Sequence, residues 1–204
     1  MATLYYIHDP MCSWCWGFKP CWETLKYQLP ENIQLHYLLG GLAKETHQPM
    51  PLPMQKSIQE TWHIIQREIP DIQFNFEFWK KNTPRRSTYP ACRAVIATRR
   101  LHSEKHLDMI YAIQQAYYLN ALNPSDTDVL LSLAVNLSLD EQDFLSLLHS
   151  DEVQEELDNE INYSRQLGAQ GFPSLILQSD QQIIFIPIDY NQPEKILNRL
   201  LPLL

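Results

Sequence analysis

The sequence predicts an α/β protein in which one small sheet is interrupted along the chain by a long helical block. Three observations carry this. Short apolar, partly alternating runs sit near both ends of the chain. The hundred-odd residues between them show helical periodicity without a fixed repeat. Neither terminal part holds enough strand-like runs to build a sheet alone, so the two must combine.

In order, "LYYIH" (Leu4 to His8) reads as a strand stopped by Asp9-Pro10. From Ser13 to about Leu29, Trp14, Phe18, Trp22, Leu25 and Leu29 recur at helical spacing, and Pro30 closes the run. "IQLHYLLGG" alternates and then turns wholly apolar, as a strand entering a core does. Six helical segments follow, from "PMPLPMQKSIQETWHIIQREI" to "DEVQEELDNEINYSRQLG". Ser125-Asp126 and Asp140 are N-cap candidates, and Gly168 suits the residue after a helix C-terminus. "EIPDIQFNFEFWKKNTPRRS" is expected to be a loop lying over the bundle. "SLILQ" and "QQIIFIP", split at Ser179-Asp180-Gln181, predict an antiparallel hairpin. A last helix is expected after an N-cap at Asn191. The expected division is 1–42 and 169–204 for the α/β core, with 43–168 as the helical insertion.

Composition excludes some functions. Charged residues are 20% and hydrophobic ones 45%, as in a globular rather than a disordered chain. A formal net charge of −8 speaks against nucleic-acid binding, which needs concentrated Lys and Arg. No run approaches the roughly 18 apolar residues of a membrane span, and "MATLYYIHDP" has neither a basic leader nor a long apolar core. The expectation is a cytoplasmic protein without a membrane partner, its oligomeric state open.

Three of the 4 cysteines fall in "YYIHDPMCSWCWGFKPCWETLK". Cys12 and Cys15 enclose only Ser13 and Trp14, at a predicted strand-to-helix junction. A structural disulfide, half a metal site and a redox pair all use this spacing. In a reducing compartment the first is uncommon, and no second CxxC or HxxxH completes a zinc set, so no metal is expected. A sulfur at a helix start faces unpaired N–H groups and the positive end of the helix dipole, which favours thiolate. The expected roles are Cys12 as an exposed nucleophile and Cys15 as a buried resolving thiol. Ser13 offers a hydroxyl, while Trp14 and Trp16 offer either apolar surface to a substrate or core packing. His8 and Asp9 either transfer protons to Cys15 or only shape the turn. Cys21 and Cys92 are expected to be separate buried thiols.

"DPMCSWCWGF" after a short strand resembles the active-site segment of the DsbA-like branch of the thioredoxin superfamily, in particular its cytoplasmic FrnE-like and predicted protein-disulfide-isomerase members. "QGFPSLIL" adds a second likeness. The resemblance implies a thioredoxin-like fold with a helical domain inserted after the second strand. It also implies a cis-proline at Pro173 packed against the cysteines, with Phe172 offering backbone groups to a bound substrate. The implied activity is thiol–disulfide oxidoreductase or protein disulfide isomerase. The implied partners are a disulfide-bearing protein or small molecule and a cellular thiol reductant. No cofactor is required, though glutathione fits as redox partner. Two other readings stay open: a glutathione-dependent transferase or isomerase of the kappa or 2-hydroxychromene-2-carboxylate type, and a non-enzymatic protease adaptor.

Overall fold

A computed structural model describes residues 2–179 and 182–204. The expected turn at Ser179-Asp180-Gln181 therefore falls largely outside the described residues. Strand β1 (Ala2–His8) leads into α1 (Ser13–Gln28) and then β2 (Ile33–Leu39). Seven helices follow: α2 (Leu52–Glu68), α3 (Phe78–Lys81), α4 (Tyr89–Leu101), α5 (His106–Tyr118), α6 (Thr127–Asn136), α7 (Glu141–Leu148) and α8 (Asp151–Gln166). Strands β3 (Ser174–Ser179) and β4 (Gln182–Ile186) and helix α9 (Pro193–Leu200) complete the chain.

The four strands form one sheet in the order β2-β1-β3-β4. β1 pairs with β2 in parallel, Tyr6 opposite Tyr37. β3 runs antiparallel to β1, Tyr5 opposite Ile176, and β4 antiparallel to β3. Strand periodicity then divides the side chains between two faces. Leu4 and Tyr6, with Leu175 and Leu177, pack under Phe18, Trp22 and Leu25 of α1 and Ile196 and Leu200 of α9. Tyr5, Ile7 and Ile176 face the other way, onto Leu167 and the partly buried Tyr163 at the end of α8. Burial on both faces explains why β1 reads as a nearly unbroken apolar run rather than an alternating one.

The helical block has its own core, around Trp62, Phe78, Tyr117 and Phe144, and that core also takes in Met11, Trp16 and Leu39. The residues flanking the cysteine pair are thus packed into the insertion. A hydrogen bond braced by an ion pair ties the block to the sheet: Arg99 on α4 engages Glu160 on α8, whose other oxygen accepts the Leu39 N–H of β2 at 2.7 Å.

Two local readings differ from expectation. "EFWKK" forms the single turn α3 rather than plain loop, because Phe78 is driven into the core, its ring centroid 4.7 Å from that of Tyr117. Helix α9 is capped by Gln192 rather than Asn191. Asp189 Oδ1 takes both the Asn191 and Gln192 N–H groups, which places the helix start one residue later.

Candidate active site

The end of β1 is converted into a helix start by Asp9. Its carbonyl accepts the Cys12 N–H at 3.0 Å and its Oδ1 the Met11 N–H at 2.8 Å, closing the turn over Pro10. Cys12 becomes the N-cap of α1 in extended conformation (φ −82°, ψ 118°), and its carbonyl accepts the Trp16 N–H. No side chain caps this helix and its first turn has no acid. The positive end of the helix is therefore left to the Cys12 sulfur.

All four cysteines are free thiols. Cys15 is 1% exposed, and burial, then the neighbouring Cys12, push its thiol well above the ordinary range. Cys12 is only 6% exposed, so the expectation of an open nucleophile is corrected. The cause is the segment before β3: Cys12 Sγ donates to the Phe172 carbonyl at 3.4 Å. The Phe172-Pro173 bond is cis and Pro173 is buried. The Phe172 ring lies against Gly40, where an added Cβ would meet Phe172 Cε1 at 1.9 Å. A groove of about 500 Å³ opens beside this segment, lined by Gly168, Gln170, Gly171, Phe172, Pro173 and Phe185 among others.

Ser13 and Trp14 lie on the first turn of α1, both partly exposed. The Ser13 hydroxyl is engaged from the insertion by Trp62 Nε1 at 2.9 Å, and the Trp14 ring leans on Tyr190 at 5.0 Å between centroids. Trp16, whose role the sequence left open, is core: it stacks on Tyr118 and donates Nε1 to the Gln73 carbonyl. Cys21 and Cys92 are buried apart from each other, Cys21 donating to the Asp189 carbonyl and Cys92 to Asp9. Among the described residues no group of three or more His, Cys, Asp or Glu could hold a metal ion.

His8 and Asp9 are both buried but differ in what holds them. The Asp9 carboxylate receives four donors: the N–H groups of Met11 and Leu42, the Thr88 hydroxyl and the Cys92 thiol. Burial still holds its carboxyl above the usual range against those hydrogen bonds. Asp9 thereby joins the cysteine turn, the loop after β2 and the start of α4, which sequence inspection does not reveal. Leu42 and Thr88 lie 33 and 79 positions away.

His8 stacks on Tyr6 (5.1 Å, 9°), and its Nε2 is buried without a hydrogen-bond partner. Burial, then the charges of His106 and Arg99, push it down to about 3. A histidine kept neutral in the folded state contributes stability that is present above the unfolded value near 6.5 and lost as pH falls toward 3. Lowering the pH from about 7.5 to about 5 is therefore expected to cost about 2 kcal/mol through this residue. Urea titrations at both pH values check it: His8→Phe should remove that part of the pH dependence.

Comparison with known proteins bears on this geometry. A model of the thioredoxin family, described as "Thioredoxin", matches residues 5–185. A protein from Nitrosomonas europaea, provisionally assigned as a protein disulfide isomerase, has a structure similar over 99% of this chain and 98% of that one, with TM-score 0.85 and 29% identity. Cytosolic disulfide reductase DsbM from Pseudomonas aeruginosa matches over 99% and 100%, with TM-score 0.78 and 22% identity. ClpXP adapter protein SpxH of Bacillus subtilis is 23% identical over 192 residues, 92% of this chain and 63% of that protein. The chain spans less than two thirds of the length of the curated relatives it matches. With the family model covering most of the sequence and the cysteine turn meeting a cis-proline across the sheet, the chain belongs to the thioredoxin family, with a DsbA-like architecture.

Proposed function

We propose that this protein is a thiol–disulfide oxidoreductase whose Cys12 exchanges with disulfides of extended polypeptides in a reducing, cytosolic setting. The observation that carries the reading is the meeting of Cys12 Sγ with the Phe172 carbonyl beside a groove ending at Phe185. A substrate chain lying in that groove could pair with the backbone at Phe172 and bring its disulfide to Cys12. Ile183 and Phe185, 51% and 53% exposed on the edge strand β4, give its apolar side chains a surface.

Exchange then proceeds in two steps. The Cys12 sulfur attacks one substrate sulfur and expels the other as thiolate, leaving a mixed disulfide. Cys15 attacks Cys12, closes the protein disulfide and releases the second substrate thiol. Cys15 yields its proton to the expelled substrate sulfur, and in this reading neutral His8, lining the same cleft as Cys15, orients the thiol while Asp9 fixes the turn. A thiol reductant resets the pair. The names of DsbM as a disulfide reductase, and of its glutathione complex, support that direction and that class of reductant.

Insulin reduction tests the polypeptide preference. Phe185→Ser is expected to lower the ratio of kcat/KM for insulin to that for a small aromatic disulfide by about fivefold, the worth of one apolar contact of ~1 kcal/mol. An unchanged ratio would remove the groove from the reading. A second reading is supported by the two SpxH relatives, described as ClpXP adapters. In it the helical block presents a bound partner, and capture of one dominant partner would persist in Cys12→Ser.

A further inference from the structure

Trp62, on α2 of the insertion, is 0% exposed and is held by rings on several sides. Phe74 stacks on it at 4.8 Å, and Phe78, Tyr117 and Tyr118 meet it at 6.1, 5.6 and 5.7 Å between centroids. The indole is thereby fixed in orientation, and its Nε1 donates to the Ser13 hydroxyl at 2.9 Å. An indole N–H only donates, so Ser13 Oγ accepts in this bond and keeps its own hydrogen to give. Among the described residues no hydrogen bond is made with that hydrogen. Ser13 also bears on the buried Tyr118 hydroxyl, yet that group is left without a hydrogen-bond partner. Ser13 is partly exposed and follows Cys12 directly. The site therefore presents an O–H donor, steadied from the insertion, one residue from the nucleophile.

We propose that the Ser13 hydroxyl is a catalytic donor to the substrate sulfur expelled when Cys12 attacks, and that Trp62 is the positioning residue that holds it in that role. The inference rests on the oxidoreductase reading above and adds two residues to its first step.

The chemistry of that step calls for such a donor. Cys12, attacking as thiolate, bonds one substrate sulfur; the substrate S–S bond breaks and its electron pair leaves on the other sulfur. Negative charge grows on the departing atom, and exchange slows as the departing thiol becomes more basic. A donor already aimed at developing charge lowers the barrier without reorganisation at the moment of reaction. Ser13 keeps its proton throughout, since the expelled anion takes its own from Cys15 in the second step. Trp62 contributes in two ways. Its N–H occupies the serine oxygen, which turns the hydroxyl hydrogen away from the indole, and a hydroxyl that already accepts a hydrogen bond is the stronger donor. A nitroaromatic thiolate spreads its charge over its own ring and gains little from Ser13. An alkyl thiolate gains most, so the device suits the alkyl disulfides that cysteine side chains form.

The reduced protein is mixed with bis(nitrophenyl) disulfide or bis(hydroxyethyl) disulfide, and quenched samples are read by mass spectrometry. In each variant the hydroxyethyl rate is divided by the nitrophenyl rate, which cancels any change in folded fraction or in Cys12 ionisation. Ser13→Ala is expected to lower this ratio about fivefold, through loss of one hydrogen bond to a charged sulfur. Trp62→Phe, which keeps a ring but has no N–H, should lower it about threefold, and the double variant no further than Ser13→Ala alone. Benzothienylalanine at residue 62, an isostere of tryptophan without the N–H, repeats the measurement if Trp62→Phe does not fold. Ser13→Thr, which retains a hydroxyl, should keep the parent ratio, and so should Tyr118→Phe. An unchanged ratio in Ser13→Ala or on loss of the residue 62 N–H would overturn the proposal. So would a fall in Tyr118→Phe equal to that in Ser13→Ala, which would place the serine hydrogen on Tyr118. If insulin is still reduced in those cases, the oxidoreductase reading stands while this donor falls; if the parent reduces neither insulin nor either small disulfide, the reading beneath it fails.

Discussion

Cys12→Ser is expected to abolish insulin reduction, lowering kcat/KM by about three orders of magnitude, or ~4 kcal/mol of barrier. The loss is purely chemical. A hydroxyl is a far weaker nucleophile toward sulfur than a thiolate. The fold should not suffer, because the position is a helix N-cap left without a capping side chain. Serine is among the preferred residues there, so the variant should be as stable as the parent or more stable by ~0.5–1 kcal/mol. Its oxygen can also keep a donor toward the Phe172 carbonyl. Combined thermal unfolding and insulin turbidity measurements therefore separate chemistry from stability in one protein. Cys15→Ser makes the complementary case: the first exchange remains and the second is lost, so mixed disulfides with substrate should accumulate on Cys12. Insulin reduction by Cys12→Ser within threefold of the parent would end the catalytic reading and leave the adapter reading in possession.

The sequence reveals the parts of this site that are local and conceals those that are not. Strand, turn and helix around Cys12 are legible because an apolar run, Asp9-Pro10 and helical spacing follow one another within thirty residues. The two-residue gap shows that Cys12 and Cys15 share one helix turn. The covering of Cys12 is not legible from spacing: its partner Phe172 is 160 positions away. The same holds for Trp62, which reaches Ser13 across 49 positions, and for the four donors on Asp9. Helix α3 escapes for another reason. One turn is too short to show a period, and what holds it is an aromatic cluster of Trp62, Phe78 and Tyr117 assembled from three helices. The "GG" after β2 was visible as a strand end, but only the fold shows that residue 40 has no room for a side chain.

Gly40→Ala tests that closeness, and its effect on stability should be among the largest of any single methyl group in the chain. A Cβ at residue 40 would stand 1.9 Å from Phe172 Cε1 and 2.1 Å from Cζ, inside contact distance for any pair of carbons. Residue 40 is pinned to β1, its N–H donating to the His8 carbonyl at 2.7 Å, so the strand end cannot retreat without giving up that bond. The Phe172 ring must move instead, and Phe172 is the residue whose carbonyl faces Cys12. Overpacking of this kind costs about 1–3 kcal/mol, to be read from urea unfolding. Insulin turnover should fall with it, beyond what the folded fraction explains, because the displaced residue belongs to the groove. Phe172→Ala alone opens the space beside residue 40, while the residue 172 carbonyl stays beside the Cys12 sulfur. The double variant Gly40→Ala/Phe172→Ala should then be more stable than the sum of the single losses predicts, by about 1–2 kcal/mol of favourable coupling. Additive losses would mean that the two residues do not touch.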